Sequence, residues 1–463
     1  MERKNAWTTY DEKALENLET LNLNYRKFLT KCKTERECVS EVIRLAEENG
    51  YENIEMYIKN ERKLVSGDKV YHVYMKKSIL LYHIGEDDFE KGMNLLGSHI
   101  DSPRIDVKQI PLFEEKGNLY FDTHYYGGIR KYQWLSTPLS LHGVIIKKDG
   151  TEITISIGET DDEPIFVIAD LLPHLSQAYN KKPASEFVRG EKLDLLIGSI
   201  PMKNETKEPV KKAVLQLLKE KYDIEEADFI SAELEIIPAM HARDCGLDRS
   251  MIMGYGQDDR VCAYPSLMAL FSMKSPKRTL CCLLVDKEEI GSVGATGMDS
   301  ILLENSLAEI LDLAGAYSGL TLKRMLVNSH MLSCDVTAGF DPMYAECFES
   351  KNTAFLGSGL IFNKYKGVRG KSGANDANPE FIAKLRNVMD EANVTWQTSE
   401  SGAVDVGGGN TISFLMARYG MQVIDSGVAV LGMHSLYEVA SKADIYEAYK
   451  GFKTFYLTDF HQI

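Results

Sequence analysis

Apolar residues recur at spacings near three and four through residues 11–50, where Leu15, Leu18, Leu21, Phe28 and Leu29, then Cys38, Val39, Val42, Ile43 and Leu45, stand among charges. That period predicts a helical N-terminal segment. Strand-like stretches follow at 69–75, 78–84 and 94–98, the last running into Ser-His-Ile-Asp-Ser-Pro-Arg. After Pro103 the texture changes. From about 105 to 227 come short alternating strands, such as 119–123, 139–147 and 152–157, separated by glycine-rich or charged turns and closed by a Lys/Glu-rich stretch at 203–226. This reads as an inserted β-rich domain over 106–228, interrupting a larger domain made of 1–105 and 229–463. In the second part of that domain strands at 232–237, 280–285, 324–334, 395–398 and 422–426 alternate with helices at 260–273, 300–318, 379–392, 411–419 and 443–457. The alternation predicts an α/β fold, a mixed sheet covered by helices on both faces.

The chain of 463 residues has room for two or three domains, and 44% hydrophobic with 26% charged residues is an ordinary globular balance. A net charge of -15 argues against a general nucleic-acid or anionic-membrane binder, whose affinity rests on clustered Lys and Arg. Small or polypeptide partners fit better. No segment approaches the ~20 apolar residues of a membrane span, and the first residues lack the apolar stretch of a secretory signal, so a cytoplasmic location is expected. Eight cysteines without CxxC spacing are expected to be reduced and mostly buried.

Chemistry concentrates at the edges of the expected elements. Glu288 and Glu289 are adjacent and follow directly on an apolar strand, a place where one carboxylate can hold a metal while the other takes a proton. Alone, such a pair is commonplace and mostly solvated. His99, Asp258, Glu289, Asp335 and His434 are five candidate ligands at strand or helix edges, and two imidazoles with three carboxylates suit a pair of borderline divalent ions such as zinc, cobalt or manganese. Asp258, ahead of an apolar helix, is the candidate to be shared, with Asp259 left in the outer shell. Asp101, two residues from His99 on an extended segment, projects to the same side and can orient its ring. Each has a plainer reading: lone histidines are more often surface or core groups, and Asp258 and Asp259 could simply cap the helix. Spacing alone does not bring five such residues together.

Gly-Ser-His-Ile-Asp-Ser-Pro, Tyr-Gly-Gln-Asp-Asp-Arg-Val-Cys-Ala-Tyr, Asp-Lys-Glu-Glu-Ile-Gly-Ser, Ser-Cys-Asp-Val and Gly-Met-His-Ser occur in this order across nearly the whole chain. The set resembles the aspartyl aminopeptidase family of cocatalytic dinuclear-zinc metallopeptidases. The resemblance implies a zinc-peptidase-like catalytic domain binding two divalent ions, most simply zinc. His99 and Asp335 would hold one ion, Glu289 and His434 the other, with Asp258 between them and Glu288 as general base. It further implies that the insert is a dimerisation domain in a homo-oligomer, a dimer at least and commonly a tetrahedral dodecamer. In the insert Leu-Leu-Pro-His-Leu matches a family motif whose histidine, here His174, reaches a neighbouring subunit's active site. The run Gly407-Gly408-Gly409-Asn410-Thr411 also matches, which makes Gly408 and Gly409 candidates for substrate binding. A surface histidine and a plain helix entry are the respective alternatives.

Peptide substrates are thus expected, with acidic N-terminal residues favoured by the resemblance. The basic residue that reads such an acid falls, in our register, at Asn363 beside Lys364, so Lys364 is the candidate and a neutral or broader preference stays open. The stretch after Gly128, Ile-Arg-Lys-Tyr-Gln-Trp-Leu-Ser-Thr-Pro, also departs from the family pattern. A related amidohydrolase, a deacetylase or carboxypeptidase, and a non-catalytic assembly protein on the same fold are the alternative readings.

Overall fold

In a computed structural model of the protein, residues 4–460 are described. The chain divides into two compact units, one comprising the chain up to Asp101, Ala242–Met433 and the chain from Glu438, the other Ser102–His241 with His434–Tyr437.

The first unit is organised by a nine-stranded sheet. Its middle is parallel: Thr279–Val285 pairs with Met93–His99, which pairs with His330–Cys334, which pairs with Gln422–Gly427. Ser78–His83 and Leu360–Asn363 flank this block antiparallel. Because both faces of a parallel sheet are covered, its strands need unbroken apolar runs, and Thr-Leu-Cys-Cys-Leu-Leu-Val is buried at every position. Alternate residues feed two cores. Leu96, Cys282, Leu284 and Leu332 pack on one side with Phe28, Val39, Leu267, Phe381 and Phe452 from the helices Glu12–Lys31, Glu35–Glu48, Gln257–Phe271, Pro379–Glu391 and Lys442–Leu457. Leu95, Cys281, Leu283 and Met331 pack on the other with Leu307, Ile310 and Met325 from Leu302–Leu313 and Gly319–Val327. Each buried aliphatic side chain contributes about 1.5–3 kcal/mol. A smaller five-stranded sheet contains Met251–Gly254, Glu438–Ser441 and Ala429–Leu431.

The second unit is a six-stranded sheet with the helix Pro209–Tyr222 and a core of its own around Phe121, Trp134, Leu141 and Phe229. It is wider than the expected 106–228. Ala232–Pro238 pairs with Leu139–Ile146 on one side and Arg104–Glu115 on the other, and so belongs to this sheet rather than to the larger domain. Two further expectations need correction. The expected strand at 324–334 is a strand only from His330; its first residues end a helix in which Leu322, Met325 and Leu326 lie three and four apart and Ser318 accepts the Thr321 N–H as an N-cap. The Lys/Glu-rich stretch at 203–226 contains a full helix, so the unit is not purely β. The eight cysteines are free thiols, six of them buried.

Candidate metal centre

Three adjacent parallel strands end at one edge of the sheet, and each delivers chemistry there. Met93–His99 ends in His99, Thr279–Val285 leads to Glu288 and Glu289, and His330–Cys334 leads to Asp335. This is the edge at which α/β sheets place their ligands. The fourth contributor is the start of the helix Gln257–Phe271, where Gly256 takes a positive φ of 71° and Asp258 and Asp259 depart from helical angles, joined by a cis peptide. Both side chains meet His99 at the end of its strand.

His99 is the hub. It is buried, with Nε2 3.1 Å from Asp258 Oδ1 and 3.9 Å from Asp335 Oδ1, and Nδ1 3.2 Å from Asp101 Oδ1. Its backbone N–H donates to Asp259 Oδ2. Two groups of ligand atoms each lie within 4.8 Å of one another: His99, Asp258 and Glu289, and His99, Asp259 and Asp335. Asp259, expected in the outer shell, thus stands beside the candidate ligands. Asp101 does more than orient a ring, because its two oxygens accept the backbone N–H groups of Glu288 and Glu289, both at 3.1 Å. One buried carboxylate fixes both His99 and the glutamate pair. Glu438, buried on Glu438–Ser441, accepts the Asp258 N–H at 3.0 Å and performs the same service for that segment. Nothing in its sequence context singles it out.

Electrostatics at this edge are dominated by crowded carboxylates. Burial pushes the Glu288 carboxyl up to about 8, with Asp335, Asp101 and Asp258 adding to the rise and His99 opposing it. Asp259 is raised well above the carboxylate range by burial and by Asp335 and Asp258, against the pull of His99. For His99 burial acts downward, yet the Asp101 and Asp258 carboxylates overcome it and hold the imidazole well above its usual value. Lys366 answers part of the charge: its Nζ is 3.2 Å from Asp335 Oδ2 and 2.8 Å from the Val336 carbonyl. One histidine and one lysine do not balance this many buried acids, and Asp259 Oδ1 is buried without a hydrogen-bond partner. Carboxylates so placed repel unless a cation lies among them. The donor set therefore fits divalent metal, with oxygen and imidazole ligands of the kind zinc accepts.

The remaining candidates are not among these two groups of ligand atoms. His434 belongs to the second unit, half-buried at a positive φ of 62°, with Nδ1 3.1 Å from the Gly128 carbonyl. His174 is exposed on the short turn Pro173–Leu175 of that unit. Gly408 and Gly409 are exposed and pair with Gly367–Val368 in a two-stranded ribbon. Lys364 does not reach the centre. Just past the strand Leu360–Asn363 it is exposed, 3.7 Å from Asp376, while Lys366 two residues on lies 3.2 Å from Asp335.

An α/β sheet whose parallel strand ends gather a buried histidine, several carboxylates and a glutamate with a raised pKa defines a metal-dependent hydrolase. The profile of the Peptidase M18 family, "Aminopeptidase I zinc metalloprotease (M18)", matches residues 28–456, and the chain belongs to this family of metallo-aminopeptidases. It is 53% identical over 455 residues, 98% of each chain, to a probable M18 family aminopeptidase 1 of Clostridium acetobutylicum. The crystal structure of an M18 aminopeptidase from Thermotoga maritima superposes with a TM-score of 0.94 at 44% identity, covering 98% of this chain and 99% of that one. The fold alone extends to the mApe1 dodecamer of S. cerevisiae, at a TM-score of 0.76 and 20% identity over 95% of this chain and 97% of that one. No described helix is long and apolar enough to cross a membrane.

Proposed function

We propose that the protein removes single residues from the free N-terminus of peptides, with a preference for Asp and Glu. The observation that carries this reading is the convergence of His99, Asp258, Glu289 and Asp335 on one sheet edge beside Glu288. These residues hold the metal, and the family pattern adds His434 to them. Zinc bound there supplies a Lewis acid that acidifies water and polarises the scissile carbonyl. Glu288 is the general base: half-buried at the strand end, its carboxylate accepts the proton of the attacking water and delivers it to the departing amine. Asp101 keeps that carboxylate in line through the Glu288 and Glu289 amides.

The acid preference rests on Lys366. With Tyr365, Arg369, Lys371, Glu400 and Asp405 it lines a cavity of ≈ 280 Å³, and two of its three ammonium donors are engaged by Asp335 and Val336. We assign this cavity to the side chain of the departing residue, and Gly408 and Gly409 to the substrate backbone. The second unit is assigned to oligomerisation, with His174 offered to a neighbouring subunit, in an assembly of the kind seen for the yeast dodecamer.

The test is hydrolysis of unblocked peptides beginning with Asp, Glu, Leu, Lys or Met, and of their N-acetylated forms, by zinc-, cobalt- or manganese-loaded protein. Rapid release of Asp and Glu from free peptides alone is expected. Faster release of Leu or Met would overturn the acid preference, and cleavage of only the acetylated forms would overturn the aminopeptidase reading.

A further inference from the structure

Asp425 lies on Gln422–Gly427, 2% exposed, and no motif marks it. Its Oδ1 accepts the Thr411 hydroxyl and its Oδ2 the Ser413 hydroxyl at 3.0 Å, while the Ser413 N–H donates to Thr411 Oγ1. Thr411 is the residue at which the glycine run Gly407–Gly409 and Asn410 ends. The run is fastened at its other side as well, because Gly408 pairs with Val368 and Gly409 with Gly367, the residue after Lys366. Only glycine permits that approach: a Cβ on Gly408, at φ +149°, would meet the Gly367 carbonyl at 2.6 Å. Gly367 follows Lys366, whose ammonium lies 3.2 Å from Asp335 Oδ2.

We propose that Asp425 is a positioning residue for substrate: one buried carboxylate that anchors the end of the glycine run through the Thr411 and Ser413 hydroxyls, so that the run stands in fixed register with the strand Gln422–Gly427. The charge matters as well as the shape. An ionised carboxylate accepts the two hydroxyls more strongly than a neutral amide in its place would. This assignment rests on the reading above that the glycine run contacts substrate.

Asp425→Asn keeps the size and one acceptor but removes the charge, and Thr411→Val removes one anchor with no change of volume. Steady-state kinetics on the best free peptide, melting temperature and metal content would be measured for both, beside Lys366→Met. In Asp425→Asn, KM is expected to rise about tenfold with kcat within threefold, metal and melting unchanged, because the anchored groups act on bound substrate rather than on the attacking water. In Thr411→Val the same split is expected at roughly threefold. A fall in kcat tracking lost folded protein or lost metal, with KM unmoved, would overturn the proposal, as would kinetics unchanged in both variants. If Lys366→Met leaves KM unchanged while the Asp425 and Thr411 variants raise it, the cavity assignment fails and the anchoring of the glycine run stands.

Discussion

The two units handle charge in opposite ways. In the second, several acids meet a lysine at the surface: Lys108 meets Asp122 at 2.8 Å, Lys211 meets Glu226 at 2.6 Å, and Lys219 meets Asp223 at 2.6 Å, with side chains partly or largely exposed. Such pairs are screened and nearly independent. In the first unit Asp101, Asp258, Asp259, Asp335 and Asp425 are mostly buried, and each depends on backbone amides, hydroxyls, His99 or Lys366 rather than on a private counter-charge. Ionisable groups that would be unaffordable singly persist there because they share their compensation. Perturbed acids gathered in this way mark a functional site.

The contrast is sharpest at Glu288. Replacing it by Gln preserves volume but removes the proton acceptor, and turnover of free peptides should fall about 10²–10⁴-fold, with bound metal measured by elemental analysis unchanged. Equal loss of metal would show that Glu288 is a ligand instead. A smaller effect is expected at His83, which is buried on Ser78–His83 with neither ring nitrogen hydrogen-bonded. Burial, aided by Lys69, pushes its imidazole down to about 4. The folded state keeps it neutral while the unfolded chain protonates near pH 6.5, so its contribution is complete above that pH and is lost as pH falls toward 4, by up to about 3 kcal/mol. Denaturant midpoints at pH 7.5 and 4.5 should therefore diverge more for the parent protein than for His83→Leu. The smallest effect belongs to the second unit, where Lys219→Met should leave the melting temperature within about 1 °C. A drop of several degrees would remove the distinction drawn between the units.

Much of the catalytic sheet was legible because burial on both faces demands long apolar runs, and Leu280 to Val285 or Leu95 and Leu96 have no other plausible place. The ordered motifs likewise pointed to His99, Asp258, Glu288, Glu289 and Asp335. Less visible were partnerships across long stretches of chain. Asp101, a candidate for orienting His99, also reaches amides 187 and 188 positions away, and Asp425 sits in Gln-Val-Ile-Asp-Ser, which reads as an ordinary strand until Thr411 and Ser413 are seen on its side chain. Lys366 gave no signal beside Lys364, because its contact with Asp335 lies 31 positions away in the chain. Residues 324–327 were misread because four apolar positions in eight serve a short helix as well as a strand, and the Ser318 cap that decides between them lies outside that window.

Insertion of the second unit between Met93–His99 and Thr279–Val285 also sets the timing of activity during synthesis. The strand carrying His99 must wait for its neighbour until a whole intervening sheet has emerged, and Gln422–Gly427, which completes the parallel block and carries Asp425, comes later still. Contacts of such large sequence separation form slowly. A chain still leaving the ribosome therefore holds His99, Glu289 and Asp335 on an incomplete parallel block until Gln422–Gly427 has emerged.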